Sequence, residues 1–252
     1  MDSNIASRER EVVVLFLCGG QGSRLRSVTD RPKAVLPVAG WPLLRYSLER
    51  ARALDPARIV FLTGYRAAEV ESVFGPAGPD RIFLAESSPL GTAGALASAR
   101  AVAGARNWVA NADSFVDVDA PAVLAAHKPG TATIVAVSVG ADRSDYGGLE
   151  IRADGTVERF FEKGASGAGW INAGVYVLDR SMIEEIDERP GSLEQEVLPR
   201  WAREGRLHAF RSSAYFLDIG TPDRLARAER EFAEIRRRLE QDAAASSASA
   251  DD

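Results

Sequence analysis

The sequence is poor in the residues that build redox and metal chemistry. Cysteine occurs once, at Cys18, so no intramolecular disulfide can form. Cys18 ends an apolar run with no histidine near it in sequence, and reads as a buried, inert thiol rather than a nucleophile. The 2 histidines, His127 and His208, have no partners at metal-ligand spacing, so no zinc site is argued. No apolar run approaches the length of a membrane helix. The opening residues are polar or charged and lack the apolar stretch of a signal peptide, so the expectation is a cytoplasmic protein with no membrane partner. Excess positive charge is also missing. The formal net charge of -5 argues against a general nucleic-acid binder. Two common phosphate motifs are absent as well. No Gly-Lys-Ser/Thr of a Walker A loop occurs, and Leu25 stands where a dinucleotide fingerprint needs its third glycine.

What is present begins with one stretch, Leu17 to Pro42. An apolar run, Val12 to Leu17, leads into Gly19, Gly20 and Gly22. Glycines let a backbone turn tightly and bring its N–H groups close to an anion. Arg24, Arg26, Arg31 and Lys33 follow closely and supply full positive charges. Against an acidic background, this local basic cluster suits a small polyphosphate better than a long polyanion. A solvated surface turn with idle basic residues is the plain alternative for the glycines alone.

The 252 residues, 46% hydrophobic and 27% charged, suffice for one large domain. Strands are expected over Val12–Leu17, Arg58–Thr63, Arg81–Ala85 and Trp108–Ala110, with helices over Pro42–Leu54, Ala67–Phe74 and Thr92–Val102 between them. Thr92 is placed to cap the last of these. Alternation of this kind implies a parallel, doubly wound sheet, whose ligands sit at the carboxyl ends of strands. The glycine loop, the Glu86 to Thr92 loop and Asp113 fall at such ends. The second half reads as a helix over Ala120–His127, a strand over Ala132–Val139 and a hairpin over Tyr146–Phe161 turning at Asp154-Gly155. A strand over Ile171–Leu178, helices over Ser181–Ile186 and Leu193–Ala202, and short strands over Leu207–Phe210 and Tyr215–Ile219 follow. Thr221-Pro222-Asp223 then starts a long helix reaching about Glu240. The fold class is a three-layer α/β/α domain with a largely parallel, Rossmann-like mixed sheet. It spans 1–240, with a first half at about 11–118 and a substrate-binding second half at about 119–240. Residues 241–252, rich in Ala, Ser and Asp, read as a disordered tail.

The glycine stretch resembles the signature of the sugar-1-phosphate nucleotidylyltransferases, roughly G-G-x-G-x-R-L, a spacer, then P-K and L-P-V-x-G-x-P. Here it is Gly19-Gly20-Gln21-Gly22-Ser23-Arg24-Leu25, Pro32-Lys33, and Leu36-Pro37-Val38-Ala39-Gly40-Trp41-Pro42. The likeness continues through Pro89-Leu90-Gly91-Thr92-Ala93-Gly94-Ala95, Asn111-Ala112-Asp113, Tyr146-Gly147, Glu162-Lys163, Asn172-Ala173-Gly174-Val175-Tyr176 and Asp218-Ile219-Gly220-Thr221-Pro222. Ala112 is the departure, in the place where the family often carries glycine.

The resemblance implies the family's nucleotide-diphospho-sugar transferase fold. It also implies attack of a sugar 1-phosphate on the α-phosphorus of a nucleoside triphosphate, with release of pyrophosphate. It makes Arg24, Lys33, Asp113 and Asp218 catalytic. Arg24 contacts the triphosphate, Lys33 bridges the α-phosphate and the incoming phosphate, and Asp113 and Asp218 hold Mg²⁺. It makes Leu17, Gly19, Gly20, Gly22, Ser23, Glu86, Pro89, Gly91 and Thr92 nucleotide-binding, and Tyr146, Gly147, Glu162, Lys163, Asn172 and Gly174 sugar-binding. Taken singly, Lys33 is an ordinary solvated lysine, Asp113 and Asp218 are turn residues or caps, Asn172 marks a bulge or strand end, and Glu162-Lys163 is a surface pair. The motif order is what joins them. The chain is most like the short D-glycero-α-D-manno-heptose-1-phosphate guanylyltransferases, which favours GTP and a manno-configured heptose or hexose. The Gly164–Gly169 run, small and flexible, offers room for a heptose's extra carbon. ATP or UTP with another sugar, and a non-catalytic regulatory homologue that binds an NDP-sugar, stay open, as does a homo-oligomer.

Overall fold

The computed structural model describes residues 12–20, 22–26, 28–140, 144–161 and 166–248. The apolar run Val12–Leu17 forms β1, and five of its six residues are buried. A strand covered on both faces needs such a continuous apolar run. Two 3₁₀ turns, Ser23–Leu25 and Lys33–Val35, follow. The two-residue strands β2 (Pro37–Val38) and β3 (Trp41–Pro42) then form a miniature hairpin. Its turn residues Ala39 and Gly40 both have positive φ, 46° and 85°, as a two-residue hairpin of this hand demands. Helix α1 (Leu43–Arg52), β4 (Arg58–Thr63), α2 (Ala67–Phe74), β5 (Arg81–Ala85), α3 (Gly91–Ser98) and β6 (Arg106–Asn111) complete the first half. Strand β1 runs parallel to β4 and β6, and β4 parallel to β5. Registers pair Leu17 with both Leu62 and Asn111, so the carboxyl ends of β1, β4 and β6 lie level along one edge.

In the second half, β7 (Ser114–Val116) leads to α4 (Ala120–Ala125), capped by the Asp119 side chain. Strands β8 (Ala132–Val139), β9 (Gly148–Ile151) and β10 (Val157–Phe161) follow, the last two as an antiparallel hairpin with Gly155 at φ 90°. The long strand β11 (Gly169–Asp179) binds the halves together. It pairs antiparallel with β6, β8 and β9. After α5 (Arg180–Glu184) comes a π turn, Leu193–Val197, which passes directly into α6 (Leu198–Arg203). Strand β12 (Leu207–Ser212) lies parallel to β8, and β13 (Phe216–Asp218) pairs with β7 outside the main sheet. Among the described residues, nine strands form one mixed sheet in the order β10-β9-β11-β6-β1-β4-β5, extended from β11 through β8 to β12.

Alternate residues of β1 feed different cores. Val13 and Leu15 join one buried cluster with Tyr176 and Trp201, while Val14 and Phe16 join another with Leu44 and Phe61. A third cluster lies under α7 (Pro222–Ala248), where Phe232 packs edge-on against Tyr46 and Phe115. Thr221 Oγ1 accepts the Arg224 N–H at 3.4 Å and caps this helix. Two expectations need correction. Helix α7 runs on to Ala248, so residues 241–248 are helical, in keeping with the high helix propensity of alanine. Helix α3 begins at Gly91, one residue before Thr92, and ends at Ser98. Thr92 is therefore not its N-cap; its hydroxyl instead accepts the Leu193 N–H at 2.9 Å. Among the described residues no helix is long and apolar enough to cross a membrane.

Candidate active site

A cavity of about 520 Å³ opens at the level carboxyl ends of β1, β4 and β6. Its wall includes Arg24, Lys33, Asp113 and Asp218, four residues far apart in sequence. Strand ends bring them together. The Cys18 N–H reaches the Leu62 carbonyl and the Ala112 N–H the Leu17 carbonyl, which fixes the glycine loop beside Asp113. Strand β13 pairs Asp218 with Ser114, and the Ile219 N–H donates to the Asp113 carbonyl at 2.8 Å, which brings the second aspartate alongside the first.

Each aspartate already meets a cation. Lys33 Nζ donates to Asp113 Oδ2 at 2.9 Å, with its side chain only 12% exposed. Gly22, at φ 60°, adopts the left-handed conformation that glycine takes readily, beside the lysine stem. Arg224 Nη1 donates to both carboxylate oxygens of Asp218, at 2.7 and 3.0 Å, and Nη2 donates to Asp145 Oδ2 at 2.6 Å. Its guanidinium lies 4.9 Å from the Tyr146 ring centroid. Burial first, and then the neighbouring Asp218 carboxylate, push the Tyr146 phenol up to about 12. Tyr146 therefore stays a neutral hydrogen-bonding group at any physiological pH. On the far side, a Cβ at Gly220 would sit 3.2 Å from Arg24 Nη2 and 2.6 Å from Asp218 Oδ1. Glycine is what lets Arg24 and Asp218 close over that backbone.

Glu86 lies on the same wall. Its Oε2 accepts the Leu90 N–H at 2.8 Å. Its Oε1 occupies the space over Gly19 and Gly64, where added Cβ atoms would come within 3.0 and 2.3 Å. Leu17, Gly19, Gly20, Gly22, Pro89, Gly91 and Thr92 also line the cavity. Ser23 opens the first 3₁₀ turn. Tyr146, Gly147, Asn172 and Gly174 line the cavity as well. Gly174, at φ 73°, lies where β11 loses register with β8; a Cβ there would strike Asn111 Nδ2 at 2.7 Å. Glu162, Lys163, Gly164 and Ala165 lie outside the described residues.

The wall also holds Cys18, Ser192, Glu194 and Phe216, which sequence reasoning did not select. Burial raises the Cys18 thiol well above the ordinary range, in keeping with an inert role. Glu194 belongs to the π turn, which the apolar spacing had merged into one helix, and Ser192 caps that turn through its hydroxyl. His127 is buried with Thr133 Oγ1 at 2.9 Å and Asp179 Oδ1 at 3.1 Å, a structural pairing. Among the described residues no group of three or more His, Cys, Asp or Glu gathers as a protein-only metal cage. A Mg²⁺ ion that keeps waters and substrate phosphates asks the protein for only one or two carboxylates. The neighbouring Asp113 and Asp218, each already facing a cation, fit that demand.

Comparison with known proteins gives three findings. The profile of the family described as nucleotidyl transferase matches residues 13–235. A mannose-1-phosphate guanylyltransferase of Mycobacterium tuberculosis is 34% identical over 231 residues, covering 86% of this chain and 63% of that protein. The catalytic subunit beta of mannose-1-phosphate guanylyltransferase from Drosophila pseudoobscura is 33% identical over 221 residues, covering 82% of this chain and 59% of that protein. This chain thus spans about three fifths of these relatives. Among solved structures, HddC from Yersinia pseudotuberculosis complexed with GMP-PN superposes with a TM-score of 0.76 at 33% identity, covering 87% of this chain and 99% of that one. A putative glucose-1-phosphate thymidylyltransferase from Bacillus anthracis shares the fold, with a TM-score of 0.77 at 23% identity.

Proposed function

This chain belongs to the nucleotidyl transferase family, and from that premise we propose that it joins a nucleoside triphosphate and a sugar 1-phosphate into an NDP-sugar, releasing pyrophosphate. The observation that carries the reading is the convergence of Arg24, Lys33, Asp113 and Asp218 on one cavity beside the glycine loop. Both reactants are anions, so the main obstacle is bringing them together. Preorganised positive charge lowers that obstacle, and in-line positioning does the rest. Arg24 holds the triphosphate and stabilises the departing pyrophosphate. Lys33 lies between the α-phosphate and the incoming phosphate. Its pairing with Asp113 keeps the ammonium aimed into the cavity until substrate arrives. No general base is required, because a phosphate monoester has a second pKa of about 6 and is largely dianionic at neutral pH. Asp113 and Asp218 would hold the Mg²⁺, which supplies further positive charge to the phosphate oxygens.

The favoured triphosphate is GTP. Guanine alone presents two adjacent N–H donors on its Watson–Crick edge, and a carboxylate only accepts. Glu86, fixed by the Leu90 N–H, is such an acceptor on the base-side wall. The guanylyltransferase relatives and the neighbour complexed with GMP-PN support the same choice. The favoured sugar is a manno-configured hexose or heptose 1-phosphate, lying against the part of the cavity wall that Tyr146, Gly147, Asn172 and Gly174 help to form. A substrate matrix tests both choices: GTP, ATP, UTP, CTP and dTTP crossed with mannose, heptose and glucose 1-phosphates, read by pyrophosphate release. The expected optimum is GTP with a manno-configured sugar, and only with Mg²⁺ present. A preference for a pyrimidine triphosphate or a gluco-configured sugar overturns the substrate choice. Absence of release in every combination overturns the reaction itself.

A further inference from the structure

We infer that Glu194 is the carboxylate that reads the sugar's hydroxyl groups, and that Asn172 acts through it as a positioning residue. This rests on the nucleotidyl-transfer reading above and deepens it. Asn172 is only 6% exposed, and its side-chain amide is committed to protein partners. Nδ2 donates to the Tyr176 hydroxyl at 2.8 Å and to Glu194 Oε1 at 3.1 Å, while Oδ1 accepts the Gly174 N–H at 2.8 Å. A primary amide has two N–H donors, and both are spent here. A substrate hydroxyl seeking a donor from this amide has none to take. What the amide does instead is hold Glu194, which lines the cavity.

The π turn carrying Glu194 is stitched to the base-side loop. Leu193 N–H donates to Thr92 Oγ1 at 2.9 Å, Ala93 N–H to the Gly191 carbonyl at 3.0 Å, and Gly191 N–H to the Leu90 carbonyl at 2.9 Å. Glu194 is thus fixed from two sides, by β11 through Asn172 and by the Leu90–Thr92 segment. Single π turns are frequent at functional sites. The chemistry of the group then selects its ligand. A carboxylate repels phosphate oxygens, and Arg24 and Lys33 already serve the phosphates. Sugar hydroxyls are donors, and O–H···O⁻ bonds are among the stronger ones available.

The test is steady-state kinetics with GTP and mannose 1-phosphate, on wild type, Glu194→Ala, Glu194→Gln and Asn172→Ala, with thermal denaturation as the folding control. Glu194→Ala should raise KM for mannose 1-phosphate at least about tenfold and leave KM for GTP within about twofold. Glu194→Gln, which keeps the shape and loses the charge, should fall between. Asn172→Ala should move the same KM in the same direction by less. On the monodeoxy mannose 1-phosphate that lacks the hydroxyl read by Glu194, wild type and Glu194→Ala should converge. A folded Glu194→Ala with unchanged sugar-phosphate KM overturns the inference. So does an equal rise in KM for GTP, or a gap that persists on every monodeoxy analogue. If wild type is active and Glu194→Ala is indifferent, only this inference falls. If wild type releases no pyrophosphate with any sugar 1-phosphate, the parent reading falls with it.

Discussion

Replacing Asp218 by asparagine separates a structural role from a catalytic one. The carboxylate binds Arg224 through both oxygens, at 2.7 and 3.0 Å, and both side chains are less than one-fifth exposed. Asparagine keeps the shape and one acceptor but removes the charge. Arg224 is not stranded, since it retains Asp145 at 2.6 Å and the face of Tyr146. The cost to folding is therefore held to about 1–2 kcal/mol, the scale of one charged hydrogen bond in a partly solvated setting. In a chain of this size that lowers Tm by only a few degrees. The cost to catalysis is larger if Asp218 holds the metal against the phosphates. Loss of charge at such a point is worth about 2.7 kcal/mol or more, at least about a hundredfold in kcat. The assay is pyrophosphate release at saturating GTP and mannose 1-phosphate over a Mg²⁺ titration, beside a thermal melt. Near-wild-type turnover at saturating Mg²⁺ would refute the metal role. Activity lost only in step with unfolding would refute the separation argued here.

Further outcomes are expected. Lys33→Ala should lower kcat and raise the sugar-phosphate KM while calorimetry shows triphosphate binding little changed; lost triphosphate binding with normal turnover at saturation would contradict the bridging role. Glu86→Gln should reduce the ratio of kcat/KM for GTP over ATP by about tenfold or more, since a mismatched donor at the base edge costs about 1–3 kcal/mol; an unchanged ratio removes Glu86 from base reading. Gly220→Ala, whose Cβ would come within 2.6 Å of Asp218 Oδ1, should lower kcat with little loss of stability, checked by kinetics and a melt on the same preparation. The Tyr146 phenol is raised to about 12 by burial, so its neutral form stabilises the fold fully below pH 10, with that share lost as pH rises toward 12. A tyrosinate difference titration against Tyr146→Phe, showing ionisation near 10 in the native state, would contradict this.

Several elements were legible from end to end. Arg58–Thr63, Ala67–Phe74, Arg81–Ala85 and Ala132–Val139 appear with their expected bounds, because each is an unbroken periodic run. The hairpin at Asp154-Gly155 was legible from its turn chemistry. The two-residue strands around Ala39 were not, since two residues show no period. That turn places alanine in the left-handed region. It is held from the last helix, where Glu229 Oε2 accepts the Ala39 N–H at 2.8 Å and Arg236 donates to the Ala39 carbonyl at 3.2 Å. No local pattern announces a partner so distant in sequence. Thr92 failed as a cap for the same reason: the Leu193 N–H competes for its hydroxyl. Within the cavity, residues at strand ends and glycine turns were legible because loops there are short and their direction is set by the sheet. Glu194 was not, because it sits among Glu and Gln neighbours on what reads as one amphipathic helix. The tie between Leu193 and Thr92 and the hydrogen bond from the Asn172 amide, both to residues distant in sequence, aim it inward.

The charge on the cavity wall bears on the metal independently of any motif. Among the described residues the lining holds two full cations, Arg24 and Lys33, against four carboxylates, Glu86, Asp113, Asp218 and Glu194. A triphosphate and a sugar phosphate would enter a site that is already net negative. Lys33 and Asp113 offset one another at 2.9 Å, and Asp218 is offset by Arg224 from behind the wall. Arg24 alone cannot balance the incoming phosphates. On the proposed reaction, the missing positive charge has to arrive with the substrate, and a triphosphate brings it as a bound divalent cation. The aspartates then have a use beyond orienting Lys33 and Arg224. On that reading they would accept the cation where the phosphates also sit, and a polyphosphate arriving without metal would meet repulsion from both. The wall thus favours the metal-bound triphosphate over the free one. Excess free GTP at fixed Mg²⁺ should therefore fail to inhibit strongly, and inhibition at concentrations near KM would show that Arg24 and Lys33 outweigh the four carboxylates after all.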